Sequence, residues 1–177
     1  LGLYTYKKQR DFRQASENSY NMAFFELVDY VQNVETYLAK SLISSSAVQG
    51  AESLTNVWRE ANLAGAYLAQ LPIDSNELEK TSKFLNQVSD YSYSLSRKNI
   101  KGEKLSEDDM NNLESLHQYS VELENTLNQL SMDLNEGKIK WGELNKKGSA
   151  VFATQTSNIS KDSFSNLEEN FHEYSGL

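Results

Sequence analysis

Apolar residues recur along this chain in alternating steps of three and four, and they do so in four separate segments. Such steps keep side chains on one face of an α-helix, so each segment predicts one amphipathic helix. Four apolar faces in one chain can bury against each other, as they do in an antiparallel bundle. The four seams are Tyr20-Phe24-Leu27-Val31-Val34-Leu38, Leu54-Val57-Ala61-Ala64-Leu68-Leu71, Leu78-Thr81-Leu85-Val88-Ser92-Leu95 and Leu113-Leu116-Ser120-Leu123-Leu127-Leu130-Leu134.

Helix breakers fall between these seams. Gly50, Pro72 and Gly102 each separate two of them, where breaks between helices belong. Ser106 offers an N-cap for the fourth helix, and acidic residues follow it in the first turn, where anions are favoured. We therefore predict an all-α, elongated, antiparallel four-helix bundle with a short C-terminal helix. The predicted helices cover about 5–44, 51–71, 75–97 and 106–147.

Two sequence signals disagree about where the fourth helix ends. Gly137 is a possible terminator, but Trp141 and Leu144 continue the apolar seam beyond it. One glycine inside a helix costs only about 1 kcal/mol relative to alanine, so the prediction extends the helix to 147. The polar, aperiodic stretch 148–160 reads as a linker. Residues 161–177 predict a short amphipathic helix that leads to a further C-terminal region.

Composition narrows the classes of partner. The net charge of -8 argues against nucleic acid, because non-specific affinity for phosphate backbones comes mainly from lysine and arginine. The absence of cysteine excludes disulfides, thiol catalysis and Cys-ligated zinc. No segment approaches the ~20 apolar residues that span a bilayer.

The first residues suggest a position next to a membrane anchor outside this chain. The chain begins without Met, and Tyr4 and Tyr6 precede three basic residues, as in an interfacial flank. The positive-inside rule by itself assigns such basic residues to the cytoplasm, which conflicts with an exported domain. Both orientations stay open at this point.

The sequence contains no recognisable catalytic or metal-binding motif. The two histidines, His117 and His172, fall in different segments without paired-ligand spacing. A di-iron bundle needs two Glu-x-x-His motifs and two further glutamates, whereas Glu114 to His117 provides one such motif. No phosphate-binding glycine loop or nucleophile elbow occurs. We predict no catalytic residue, no metal site and no cofactor.

Aromatic residues are the remaining outlier, because ten tyrosines are many for 177 residues. Tyrosine suits either the boundary of a bundle or a binding surface, since it has an apolar body and a polar tip. Aromatic and arginine side chains dominate the energetics of protein interfaces. The candidate partner-binding residues are Trp58, Arg59, Tyr91, Tyr93 and Trp141. Packing in the bundle core is the alternative for each of them.

Several short segments, in their order and spacing, carry a family resemblance. The segments are Ala23-Phe24-Phe25-Glu26-Leu27, Val57-Trp58-Arg59-Glu60, Gln70-Leu71-Pro72, Phe84-Leu85, Asp90-Tyr91-Ser92-Tyr93, Leu116-His117-Gln118-Tyr119-Ser120 and Lys140-Trp141. In these segments the chain resembles the N-terminal helical region of the YpeB spore germination proteins. The similarity spans about 15–177.

The resemblance implies a function that composition and periodicity do not show. It implies an endospore-forming bacterium, an N-terminal membrane anchor and C-terminal PepSY-type domains outside this chain. It also implies an extracytoplasmic position at the inner membrane or cortex side of the spore. Family members stabilise, localise or control the cortex-lytic enzyme SleB, and the resemblance supplies no catalytic residues to carry over.

Three functions follow as competing hypotheses. The first is a non-enzymatic module that holds or restrains a SleB-like enzyme through protein contacts. The second is a structural stalk or a self-associating bundle that forms a homo-oligomer. The third is an extracytoplasmic domain that senses a small ligand, as other long bundles do. An enzyme ranks last.

Overall fold

The computed structural model describes residues 2–73 and 75–143. Across those two ranges the chain forms four α-helices and no strand, which confirms the all-α bundle. The elements are α1 (Gly2–Ile43), α2 (Ala47–Leu68), α3 (Ser75–Ile100), α4 (Glu107–Asn135) and a 3-10 turn at Trp141–Glu143. The predicted linker at 148–160 and the predicted short helix at 161–177 lie outside the described residues.

The four seams form one continuous core. Every seam residue whose side chain is described is buried, apart from Tyr20 and Leu134, which are half-buried at the edge of the core. Fully burying a leucine or valine side chain stabilises a fold by about 1.5–3 kcal/mol. Burial of the seams is therefore the main force that holds the helices together.

The helices are arranged around the bundle in chain order, and each runs antiparallel to the one before it. Four side-chain pairs mark the successive interfaces: Tyr30 with Tyr67, Asn62 with Ser89, Phe84 with Tyr119, and Glu35 with His117. The last pair closes the bundle, because it joins α4 back to α1. Short connections between consecutive helices give this up-down topology.

The prediction that the fourth helix reaches 147 was wrong, because α4 ends at Asn135. Gly137 adopts a left-handed φ of 73°. The N–H of Lys138 donates to the carbonyl of Asp133 over 2.9 Å, which completes a Schellman motif. Glycine costs a helix little propensity, but here its left-handed conformation turns the chain away from the helix axis. Trp141 therefore reaches the core through a 3-10 turn.

The other helix ends differ from the predicted bounds by a few residues. Ser46 is the N-cap of α2, and its hydroxyl accepts from the N–H of Gln49, so the helix begins before the predicted residue 51. α2 ends at Leu68, where the prediction ran to 71. α3 continues past the predicted residue 97 until Gly102, with φ 81°, ends it in a second Schellman motif.

The first part of α1 extends beyond the bundle. From Gly2 to Asn18 the described side chains are exposed, apart from half-buried Ser16, and the core contacts begin near Ala23. At 1.5 Å per residue, this overhang is roughly 25 Å long. None of the helices in the described ranges has the length and apolar character that a bilayer span requires.

Candidate functional site

Two of the candidate residues meet on the outer surface between α2 and α3. Trp58 is 36% exposed and Tyr93 is 39% exposed, and their ring centroids lie 5.2 Å apart at an interplanar angle of 41°. The hydroxyl of Ser89 donates to the carbonyl of Trp58 over 3.3 Å and so ties the two helices together beneath the rings. The two aromatic rings therefore form one exposed surface on a rigid helical base.

Arg97 completes this surface, although the sequence did not single it out. Its guanidinium lies 5.6 Å from the ring centroid of Tyr93, within cation–π range. A guanidinium nitrogen also donates to the Tyr93 hydroxyl over 2.9 Å. The i, i+4 spacing from Tyr93 was the available signal, since such residues are neighbours on a helix. We call Trp58, Tyr93 and Arg97 the aromatic patch.

The guanidinium of Arg59 makes its contacts outside the aromatic patch. Neighbouring residues of a helix point about 100° apart, so Arg59 turns away from the ring of Trp58. Its guanidinium donates to Oδ1 of Asn56 over 3.0 Å and lies 3.7 Å from a carboxylate oxygen of Glu60. Its side chain is 59% exposed, so this ion pair contributes little stability.

Tyr91 and Trp141 are buried in the core. Tyr91 is 2% exposed, and its hydroxyl donates to a carboxylate oxygen of Asp109 over 3.3 Å. Trp141 is 4% exposed, and its indole N–H donates to Oδ1 of Asn21 over 2.6 Å. Its ring packs against Phe24 at a centroid distance of 5.6 Å. Neither side chain offers a free surface to a partner.

Asp109 is a buried carboxylate that sequence reasoning missed. It is fully buried at the start of α4, where it accepts from the backbone N–H of Ser106 and from Nζ of Lys98, each over 3.0 Å. Burial alone would raise its pKa, but these hydrogen bonds and the Lys98 charge outweigh burial and hold the pKa below its ordinary value. Asp109 is therefore ionised and anchors the α3–α4 junction.

His117 lies half-buried between α4 and α1. One ring nitrogen is 2.8 Å from a carboxylate oxygen of Glu35. Glu124 belongs to the same region: partial burial, and then the charge of Glu35, raise its pKa above the ordinary value. The His117–Glu35 contact links two helices, and we assign the group no catalytic role.

In the part of the chain that the structure describes, no three His, Cys, Asp or Glu residues are grouped so that they could hold a metal ion. The exposed surface instead carries the aromatic patch, which includes one cation, the Arg97 guanidinium. Such a surface suits contact with a protein face that combines apolar and acidic side chains.

Known proteins resemble this chain over most of its length. A family model described as YpeB N-terminal matches residues 8–143. Sporulation protein YpeB of Halalkalibacterium halodurans is 31% identical over 132 residues, which cover 75% of this chain and 30% of that protein. Sporulation protein YpeB of Bacillus subtilis is 26% identical over 160 residues, which cover 90% of this chain and 35% of that protein. No solved structure matches the chain.

The chain spans about a third of the length of these curated relatives. The family match begins in the α1 overhang and ends in the 3-10 turn that carries Trp141. It therefore includes all four helices of the bundle and well over half of the sequence. This chain belongs to the YpeB N-terminal family.

Proposed function

We propose that this chain is a non-enzymatic module of a spore germination protein, and that it stabilises, localises or restrains a cortex-lytic enzyme of the SleB type. The aromatic patch is the observation that carries this proposal, because it places exposed aromatic and arginine side chains together on a helical bundle. Membership of a family whose curated relatives are named sporulation proteins supports the spore setting.

The side chains of the aromatic patch are held in place by each other. Tyr93 is held by Trp58 on one side and by Arg97 on the other, so binding immobilises few additional rotamers. Tryptophan, tyrosine and arginine are the residue types enriched in interface hot spots. A partner that covers these side chains gains buried area at a small cost in conformational entropy.

The proposal includes a location. We propose that the domain acts outside the cytoplasm, on the cortex side of the inner spore membrane, and that an anchor outside this chain holds it there. A cortex-lytic enzyme acts on peptidoglycan, so a module that holds such an enzyme has to face the same compartment.

Truncating the aromatic patch is expected to weaken partner binding without unfolding the bundle. In Trp58→Ala and Tyr93→Ala, complex formation with purified SleB should weaken by roughly 2 kcal/mol or more, the scale of an interface hot spot. The thermal midpoint should fall by less than in Tyr91→Ala or Trp141→Ala, because both side chains are more than a third exposed. Calorimetric titration and a circular dichroism melt measure the two quantities.

Leu63→Ala is the matched control, because Leu63 is also 36% exposed and also lies in α2. It should leave both quantities nearly unchanged. Tyr91→Ala and Trp141→Ala should lower the thermal midpoint, since both side chains are buried. If Leu63→Ala weakens binding as much as Trp58→Ala, the aromatic patch is not the contact surface.

The pure chain is expected not to cleave cortex peptidoglycan. Glycoside hydrolysis needs two carboxyl groups placed on either side of the scissile bond. Asp109, the most deeply buried carboxylate of the described residues, is instead occupied by Ser106 and Lys98. Incubation with purified cortex followed by chromatography should show no released muropeptides. Release that one carboxylate substitution abolishes would overturn the non-enzymatic proposal.

The α1 overhang favours a second candidate, a self-associating spacer. This segment extends roughly 25 Å past the core and exposes Leu3, Tyr4 and Tyr6 by more than two thirds. Sedimentation velocity distinguishes the two candidates. A dimer that persists at micromolar concentration and is lost in Tyr4→Ser/Tyr6→Ser supports the spacer, whereas a monomer that binds SleB supports the first candidate.

A further inference from the structure

A cleft with a mixed polar and apolar lining lies at the end of the bundle where the α1–α2 and α3–α4 connections meet. Its volume is about 280 Å³. Its wall is formed by Ser44–Ala47 on one side and by Asn99, Gly102 and Lys104 on the other. The cleft differs from the aromatic patch in composition, because hydroxyl, amide and ammonium groups lie there beside the apolar side chains of Leu105 and Met110. The described lining contains no acidic residue.

The N-terminus of α2 opens into this cleft. Ala47, the first residue of the helix, is part of the lining. The N–H groups of a helix's first turn have no carbonyl partner within the helix, and together they carry a partial positive charge. The Ser46 hydroxyl accepts from the N–H of Gln49. It therefore does not cap the N–H groups that precede Gln49 in this turn.

Asn99 is the second and independent feature. It is only 6% exposed and lines the cleft, and its side-chain amide forms no hydrogen bond with any residue in the described ranges. The polar atoms of this amide are not enclosed, so they reach the water in the cleft, which a ligand could replace. The amide therefore offers a hydrogen-bond donor to the cleft.

Gly50 makes room for this amide. A Cβ added at Gly50 would lie 2.6 Å from Nδ2 of Asn99, closer than atoms of this kind approach. Gly65, in the same helix, has nothing within 4 Å of such a Cβ. A larger residue at position 50 would therefore push the Asn99 amide out of its place.

The charge and shape of the cleft indicate the class of ligand. Lys104 is the cation of the described lining, and the α2 N-terminus adds a partial positive charge. The positive charge around the cleft therefore matches a ligand with one negative charge better than a ligand with two. Leu105 and Met110 supply an apolar wall beside these donors. Hydrogen bonds to a charged acceptor are stronger than those to a neutral one, which favours a carboxylate over a carbonyl.

We propose that this cleft binds the carboxylate of a small monocarboxylic acid. The α2 N-terminus and the Asn99 amide donate to the carboxylate, Lys104 balances its charge, and the short aliphatic part of the ligand rests on Leu105 and Met110. The site lies at one end of the bundle, next to both connections between helices. Its occupation would join the α1–α2 and α3–α4 connections.

Butyrate is the probe that tests the proposal. It is titrated into the ¹⁵N-labelled 177-residue chain at constant ionic strength, with chloride as the balancing anion. The expected result is a saturable shift of the Asn99 side-chain amide and of the Ala47 backbone amide, with a roughly millimolar dissociation constant for so small a ligand. Shifts that never saturate, or that chloride reproduces, overturn the proposal.

Inorganic phosphate is the competing arm of the same experiment. Because the cleft balances a single negative charge, phosphate should bind more weakly than butyrate. Tighter binding of phosphate would overturn the carboxylate assignment. Equal, weak shifts with every anion would identify the cleft as a general electrostatic feature and would also overturn the proposal.

Asn99→Ala separates a ligand-binding role from a structural one. Removing one hydrogen bond to a charged ligand should weaken butyrate binding by about tenfold or more. The thermal midpoint should stay equal or rise, because the amide has no partner within the described structure to lose. A lower midpoint with unchanged butyrate binding would show that Asn99 is merely structural.

Gly50→Ala is the complementary variant, and Gly65→Ala is its control. Displacing the Asn99 amide should abolish the butyrate shifts, whereas the same substitution in open space at Gly65 should leave them unchanged. If Gly50→Ala does not fold, the comparison between the parent chain and Asn99→Ala still decides the proposal. Undiminished binding in a folded Gly50→Ala protein overturns it.

Discussion

Leu123→Asp is expected to destabilise this domain by about 4 kcal/mol or more, which is at the severe end for single substitutions. Leu123 is 1% exposed and lies in the middle of the fourth seam. The substitution removes a buried aliphatic side chain and places a carboxylate among apolar neighbours. Because a domain typically has only about 5–15 kcal/mol of stability, the substitution should remove a large fraction of it and lower the unfolding midpoint clearly.

A urea titration followed by circular dichroism at 222 nm measures this effect. Met132→Asp is the matched control, because Met132 lies in the same helix and is 54% exposed. It should cost little, since surface substitutions usually change stability by less than 0.5 kcal/mol in either direction. A melt of Leu123→Asp that matches the parent would mean that the seam is not buried, and the assignment of the core would be wrong.

The core was predictable from the sequence because its signal is periodic. Every seam depends only on the helical repeat of 3.6 residues, which is a local property of the backbone. The end of α4 was not predictable in the same way, since two local signals disagreed there. Trp141 continued the apolar pattern while Gly137 permitted a turn, and the structure satisfies both by burying Trp141 after the turn.

The sequence predicted only part of the candidate surface. Trp58 and Tyr93 were named as candidates, and the structure brings them together. Tyr91 was named as a candidate beside Tyr93, yet residues two apart on a helix face nearly opposite directions. Tyr91 also lies three residues after Val88 and four before Leu95, so the helical repeat itself assigned it to the core.

Contacts between distant parts of the chain were beyond the reach of sequence reasoning. Asp109 follows Glu107 and Asp108, and such an acidic run at a helix start is ordinarily solvated. Its burial depends on Tyr91 and Lys98, which α3 brings across the α3–α4 junction. The approach of Asn99 to Gly50 is of the same kind, because it joins the ends of two different helices.

Asp109→Asn is expected to destabilise the domain by about 2–3 kcal/mol at pH 7. The variant keeps the shape of the side chain but removes the charge that faces Lys98. Breaking a fully buried ion pair costs about 3–5 kcal/mol. The Lys98 side chain is 33% exposed and can recover part of its hydration, so the smaller figure applies.

Asp108→Asn is the control, because Asp108 is the exposed neighbour in the same acidic turn and should contribute only a few tenths of a kcal/mol. If both variants lose the same stability, the effect comes from the charge of the helix N-terminus in general. A loss confined to Asp109→Asn assigns it to the buried contacts with Ser106 and Lys98.

The pH dependence of this loss provides the sharper test. The pKa of Asp109 is lower in the folded state than its ordinary value, so the folded protein binds this proton more weakly than the unfolded chain does. The resulting stabilisation is complete above about pH 4, the ordinary aspartate pKa, and disappears as the pH falls through the lower folded-state pKa. Urea midpoints of the parent and of Asp109→Asn should therefore differ most near neutral pH and converge in strong acid. A gap of constant size down to about pH 2 would show that the side chain stabilises the α3–α4 junction through shape and neutral hydrogen bonds, and that its charge contributes nothing.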